Sequence, residues 1–238
     1  MNPLIRFLFI ALLISAPLPA QEAPTTPPVS LAELAGKADL IVLGQVKDTD
    51  YFYRHEYPVS GSAYIKPLIS YREGQVADII EVYEKGLHEQ ECYFPNPSVF
   101  EEGRRYLLFL KQDPDKPERY RGLADGCALD VLVGSDNGYF VRYPASGISL
   151  SDPLEALAVD VVFADPYAIE NEETLTSTER NILLDRGLIR TYEAPAKQAE
   201  AGVLGVPQSR APARQWIYTQ GIDLTTIRKL MGPEAVKN

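Results

Sequence analysis

The sequence predicts a mainly β fold, an antiparallel barrel or sandwich with short helices after it. Three observations carry that expectation. Residues 38–144 hold six or seven short runs rich in β-branched and aromatic residues, set apart by Gly, Pro, Asn and Asp turns. No apolar period of helical length lies between those runs, which disfavours parallel strands joined by crossover helices. From Ser151 onward the punctuation changes to helix-capping signals.

The elements follow in chain order. Residues 1–20, MNPLIRFLFIALLISAPLPA, place Arg6 before an apolar run from Phe7 to Ala16, then small residues and prolines ending at Ala20. That is the layout of a secretory signal peptide, and the run is too short to span a bilayer, which takes about 20 apolar residues. The expected location is periplasmic or secreted, with no membrane span in the mature chain. Residues 21–29, QEAPTTPPV, read as a flexible leader. Ser30 and Glu33 have capping-box spacing and open a short helix with Leu31, Leu34 and Ala35 on its apolar face.

Leu40–Val46, LIVLGQV, is a buried strand in which Gly44 marks a bulge or bend. Lys47–Lys66 is polar and aromatic, a long loop or a protruding hairpin. Leu68–Tyr83 reads as one long strand, interrupted in parity by Asp78. Glu89–Phe94, Arg105–Lys111, Arg119–Leu123, Leu129–Val133 and Tyr139–Tyr143 are further strands, the last two joined by the Asn-Gly turn Ser135–Gly138. Ser151 with Pro153 opens an expected helix through Val162. Thr176 with Glu179 caps a second, and Asp223 caps a third with Leu224, Ile227 and Leu230 inward. The expected organisation is a β domain over 30–148 and a helical extension over 149–238, the latter with a Pro/Ala/Gly-rich loop.

Composition excludes several functions. The 238 residues are 45% hydrophobic, enough for a packed core. The 33 Asp+Glu outnumber 23 Lys+Arg, for a net charge of −10, and phosphate recognition needs clustered basic residues, so nucleic acid is not the expected partner. Two Cys and two His would all be consumed by one four-ligand zinc site, so no metal is expected. In an oxidising compartment Cys92 and Cys127 are a candidate disulfide closing about 35 residues, worth roughly 3–4 kcal/mol in the chain-entropy model. Two buried thiols are the alternative. Charge is segregated, with eight acidic and no basic residues over 150–179. Residues 180–238 carry nine basic and five acidic ones, so the two stretches either neutralise each other in the fold or offer a charged binding surface.

Catalytic patterns are scarce. No G-x-S-x-G elbow is present, and His88-Glu89-Gln90-Glu91-Cys92 lacks the second His of a metalloprotease helix. His55 has no sequence partner, and Glu101–Glu102 and Glu172–Glu173 lie in polar stretches without the burial that general acid chemistry requires. The expectation is therefore no catalytic residue, no cofactor and no enzyme activity. What stands out is the aromatic stretch with Tyr51, Phe52, Tyr53, Tyr57 and Tyr64. Such rings either cover an open end of the β domain or form a contact surface for a protein, peptide or glycan, since Tyr gives large amphipathic contact at low entropic cost.

Three segments carry a family resemblance: Ala38–Val46 (ADLIVLGQV), Ala77–Gly86 (ADIIEVYEKG) and Gly103–Lys111 (GRRYLLFLK). Their order resembles the N-terminal domain of the tissue inhibitors of metalloproteinases and the netrin-like modules, and also bacterial secreted proteins with the same three segments. The resemblance covers residues 38–133 and implies an OB-like antiparallel Greek-key barrel. In that family the mature N-terminal Cys chelates the protease zinc. Here the mature start falls near Gln21, with no Cys, so the resemblance implies the fold and not that mechanism. The expected function is an exported, non-enzymatic binding protein. The alternative is a protease inhibitor working through some other contact.

Overall fold

A computed structural model describes residues 28–55, 57–72, 76–84, 100–124, 126–146, 148–193 and 214–233. The expected signal segment, nearly all of the expected leader, the strand expected at 89–94, His88, Cys92 and the expected Pro/Ala/Gly-rich loop lie outside them.

Five strands close a barrel. β1 (Leu40–Arg54), β2 (Tyr57–Ser70), β3 (Ile80–Glu84), β4 (Arg105–Gln112) and β5 (Tyr120–Gly122) run in the order β1-β2-β3-β5-β4, and β4 pairs back onto β1. Every pairing is antiparallel except β3 with β5. The mainly β, closed-barrel class expected is present, and the one parallel pairing departs from the all-antiparallel arrangement expected. The bulge expected at Gly44 is present, as the β1–β2 register shifts between Leu43 and Gly44. A Cβ there would fall 2.2 Å from Ile65 Cγ2, so the strands approach too closely for any side chain.

The sheet continues past the barrel. β6 (Ala128–Val133) lies along the first half of β4, on the edge whose second half holds β5. β7 (Tyr139–Arg142) follows by the expected hairpin, where Asn137 takes the left-handed conformation with φ 65°. β8 (Val159–Asp160) and β12 (Gln220–Asp223) extend the sheet, with β12 between β7 and β8. A second sheet holds β9 (Ile169–Asn171), β10 (Ile189–Tyr192) and β11 (Gln215–Tyr218), with β11 central.

Helices follow the caps. α1 (Leu31–Lys37) has the reciprocal box, Ser30 N–H donating to Glu33 Oε2 at 2.8 Å and Glu33 N–H to Ser30 Oγ at 3.2 Å. α2 (Ser177–Asp185) repeats it with Thr176 and Glu179, and Asp223 caps α3 (Leu224–Leu230). Glu179 is held below the ordinary carboxylate range by hydrogen bonds from the Thr176 hydroxyl and backbone.

Three expectations are corrected. The long strand expected over 68–83 is two, β2 and β3, separated around the polar Tyr71–Asp78 stretch. The helix expected from Ser151 is a single 3-10 turn, Leu154–Leu157, followed by β8. Val159, Val161 and Val162 are stiff at χ1 and favour extended backbone, and β12 offers Val159 a partner strand. The extension expected to be helical carries β8 to β12, and β12 belongs to the main sheet.

Three apolar clusters follow from side-chain alternation along the strands. The barrel interior takes Leu40, Val42, Ile65, Val82, Leu108 and Leu110, with Tyr106, Phe100 and the buried Cys127. The opposite face of the same strands, Ile41, Leu43, Leu107 and Phe109, packs with Leu34 of α1, Val131, Val141 and Ile222, and Ile227 of α3. A third cluster joins Leu132 to Phe163, Ile189, Trp216 and Ile217 under the second sheet. The sequence left the docking of the last helix open, and α3 docks on α1 and the outer barrel wall. Because β4 is buried on both faces, Leu107→Ala and Leu108→Ala should each cost about 2–5 kcal/mol in urea unfolding. A near-neutral result for either would contradict a two-faced β4.

Candidate functional site

The aromatic stretch folds as a hairpin, resolving the choice between loop and hairpin. β4 pairs with β1 only as far as Gln45, and β3 pairs with β2 only from Gly61 onward. Beyond those points β1 and β2 form a two-stranded ribbon, with no third strand among the described residues. Its turn follows Arg54, which pairs with Tyr57, and His55 there has φ 58°. Gly61 faces Tyr51 across the ribbon, and a Cβ on it would lie 2.4 Å from the Asp50 carbonyl oxygen.

Four of the five aromatic residues divide by depth. Tyr51 is the anchor at the ribbon's base, where its hydroxyl donates to the buried Glu84 Oε2 at 2.7 Å. Burial first, then the Glu84 charge, pushes the Tyr51 phenol well above its ordinary pKa, so it remains a neutral donor. Tyr64 is half-buried on the barrel wall, opposite Asp48 and Glu81. Phe52 is 65% exposed and Tyr53 50% exposed at the outer end, with Val59 nearby on β2 and Arg54 and His55 at the turn. A register shift between Phe52 and Tyr53 twists the ribbon there. Tyr57 is paired with Arg54 in the ladder next to the turn. The structure thus places Phe52 and Tyr53 at the tip, Tyr57 at the ladder position opposite Arg54, and Tyr51 and Tyr64 in the tip's support.

A second site was not legible in the sequence. Residues 130 and 142 are neighbours across the β6–β7 ladder, one step beyond the Val131–Val141 pair, and they bring a carboxylate to a guanidinium. Asp130 Oδ2 lies 3.2 Å from Arg142 Nε and 3.2 Å from Arg104 Nη1. Arg104 also holds Glu101, at 2.5 Å. Arg142 Nη1 donates to the Tyr218 hydroxyl at 2.5 Å and to Glu170 Oε1 at 3.5 Å, and Nη2 donates to Ser146 Oγ. Burial alone would lower the Arg142 pKa. Tyr218, Asp130 and Glu170 outweigh it and raise the value, keeping the guanidinium charged.

This cluster sits where the barrel core gives way to the third apolar cluster. Ala128 lies in the former and Leu132 in the latter, with Asp130 on the same strand face between them. On the solvent side of Arg142 is a cavity of about 280 Å³, lined by Arg142, Glu170 and Tyr218, by Pro144 to Ser146, and by Leu175, Ile182 and Leu183.

The segregated charge partly neutralises itself, as Arg186 holds Glu155 at 2.7 Å and Arg180 holds Glu172 at 3.7 Å. His55 stands exposed at the ribbon turn. Among the described residues no group of three or more His, Cys, Asp or Glu is gathered as a metal site, and no helix is long and apolar enough to cross a membrane. No protein-family model, curated protein or solved structure significantly matches the chain.

Proposed function

We propose that this chain is an exported, non-enzymatic binding module that engages a protein partner through the tip of the β1–β2 ribbon. One observation carries the reading. Phe52 and Tyr53 stand mostly in solvent on a ribbon whose base is tied down by the Tyr51–Glu84 hydrogen bond. Large rings on a pre-ordered element lose little entropy on contact, and such rings dominate binding energy at protein interfaces. The likeness to the tissue inhibitors of metalloproteinases and netrin-like modules is part of this proposal. Its three quoted segments supply β1, β3 and β4, three of the five barrel strands. The contact proposed here uses the ribbon and needs no N-terminal Cys.

Changing Phe52 and Tyr53 together to Ser, with Tyr51 left in place, should weaken partner capture in a crosslinking pull-down by about tenfold or more. The thermal midpoint should stay put, because neither ring is buried. Capture at the wild-type level would remove the ribbon tip from the interface.

Export and Cys92–Cys127 pairing belong to the same proposal. No cysteine among the described residues is free, and Cys127 is buried in the barrel core, while Cys92 lies outside them. Intact mass of the exported protein should show loss of residues 1–20 and no alkylation of the unfolded, unreduced chain. Two alkylated thiols, or a retained N-terminus, would overturn the corresponding part.

A further inference from the structure

The cavity beside Arg142 is separate from the ribbon, and its chemistry is selective. At about 280 Å³ it has room for a ligand on the order of ten non-hydrogen atoms. Pro144, Ala145, Leu175, Ile182 and Leu183 give it apolar walls. Ile182 is 51% exposed at the rim although it is a large aliphatic residue, and α2 has no buried residue of its own. The space between α2 and the buried Arg142 is therefore an apolar slot with a polar floor.

The floor's hydrogen-bonding balance identifies the head group. Of the five N–H donors of Arg142, those on Nη1 and Nη2 already serve Tyr218, Glu170 and Ser146, while Nε is turned to Asp130 in an ion pair without a hydrogen bond. The Thr174 hydroxyl donates to the Asn171 carbonyl and accepts the Asn171 N–H. Glu170 has a side chain only 12% exposed, and among the described residues its carboxylate is held by one long hydrogen bond, 3.5 Å from Arg142 Nη1 to Oε1. Glu179, whose Oε2 is taken by the Thr176 cap, adds a second carboxylate to the lining. Asp130 and Arg104 lie behind Arg142 and largely offset one another. The acceptor capacity left in the slot is anionic. A carboxylate ligand would face two carboxylates and a guanidinium already engaged. An ammonium would find a short, charge-assisted partner in Glu170.

We propose that this cavity binds a small apolar primary amine, with its ammonium group on Glu170 and its hydrocarbon part along Leu175, Ile182 and Leu183. Ligand-observed NMR titration of the full mature chain with hexylammonium, hexanoate and hexanol tests it. Hexylammonium should bind at least about tenfold more tightly than hexanoate, the margin of one charge-assisted hydrogen bond. Ile182→Arg changes an exposed rim residue, so the chain should stay folded while hexylammonium binding is lost. Glu170→Gln should reduce hexylammonium affinity and leave hexanol unchanged. Hexanoate binding as tightly as hexylammonium, no saturation transfer from any of the three, or unaltered hexylammonium binding in folded Ile182→Arg would each overturn the assignment.

Discussion

Strand β4 is the constraint on which the rest of the structure depends. One of its edges closes the barrel on β1, and the other is divided between β6 and β5. Its side chains alternate between two cores. Tyr106, Leu108 and Leu110 fill the barrel, and Leu107 and Phe109 meet the α1 and α3 side. A strand with water on one face would alternate apolar with polar residues. The run Tyr106–Leu110 is apolar throughout because neither face meets water. The barrel and the C-terminal segment are thus two sides of one wall, and α3, β12 and β7 close over the outer side as α1 does.

Where the wall passes from the barrel to the second sheet, the apolar packing is interrupted by charge. Asp130 between Arg104 and Arg142 is costly to bury, and the arrangement holds because each group has a partner. Its consequence is geometric. Arg142 is fixed by Asp130, Tyr218, Ser146 and Glu170, so a rigid polar floor stands under α2 where packing would otherwise close. The ribbon is fixed in a similar way, one buried Tyr51–Glu84 hydrogen bond tying down a two-stranded extension. Both candidate binding surfaces are therefore exposed apolar groups set on buried polar anchors.

The legible parts of this fold are those with local signals. The boxes Ser30–Glu33 and Thr176–Glu179 and the Asp223 cap act within four residues, so sequence spacing identifies them. The apolar run Tyr106–Leu110, buried on both faces, and the bulge at Gly44 are similarly local. Signals fail where partners are distant. Val159–Val162 reads as the apolar face of a helix until Gln220–Asp223 arrives some sixty positions later as a neighbouring strand. Short runs such as Ile189–Tyr192 and Gln215–Tyr218 become strands only by pairing with one another. The aromatic stretch is legible because five rings fall within fourteen positions, 51–64. The cavity draws on residues 142–146, 170–183 and 218, and nothing in those separate stretches announces a site. The one linear trace was an acidic run whose Glu170 has its basic partner on another strand.

Sharing one wall, the barrel and the C-terminal segment should unfold as one cooperative unit, with the ribbon tip as its outlying part. Native-state hydrogen exchange measures this directly. The amides of Leu107–Leu110 in β4 and of Gly221–Ile222 in β12 should open with free energies within about 1 kcal/mol of each other and of global unfolding, while those near Tyr53 exchange by local fraying. Exchange of the β12 and α3 amides through a separate, lower-energy opening that leaves β4 protected would contradict the shared wall.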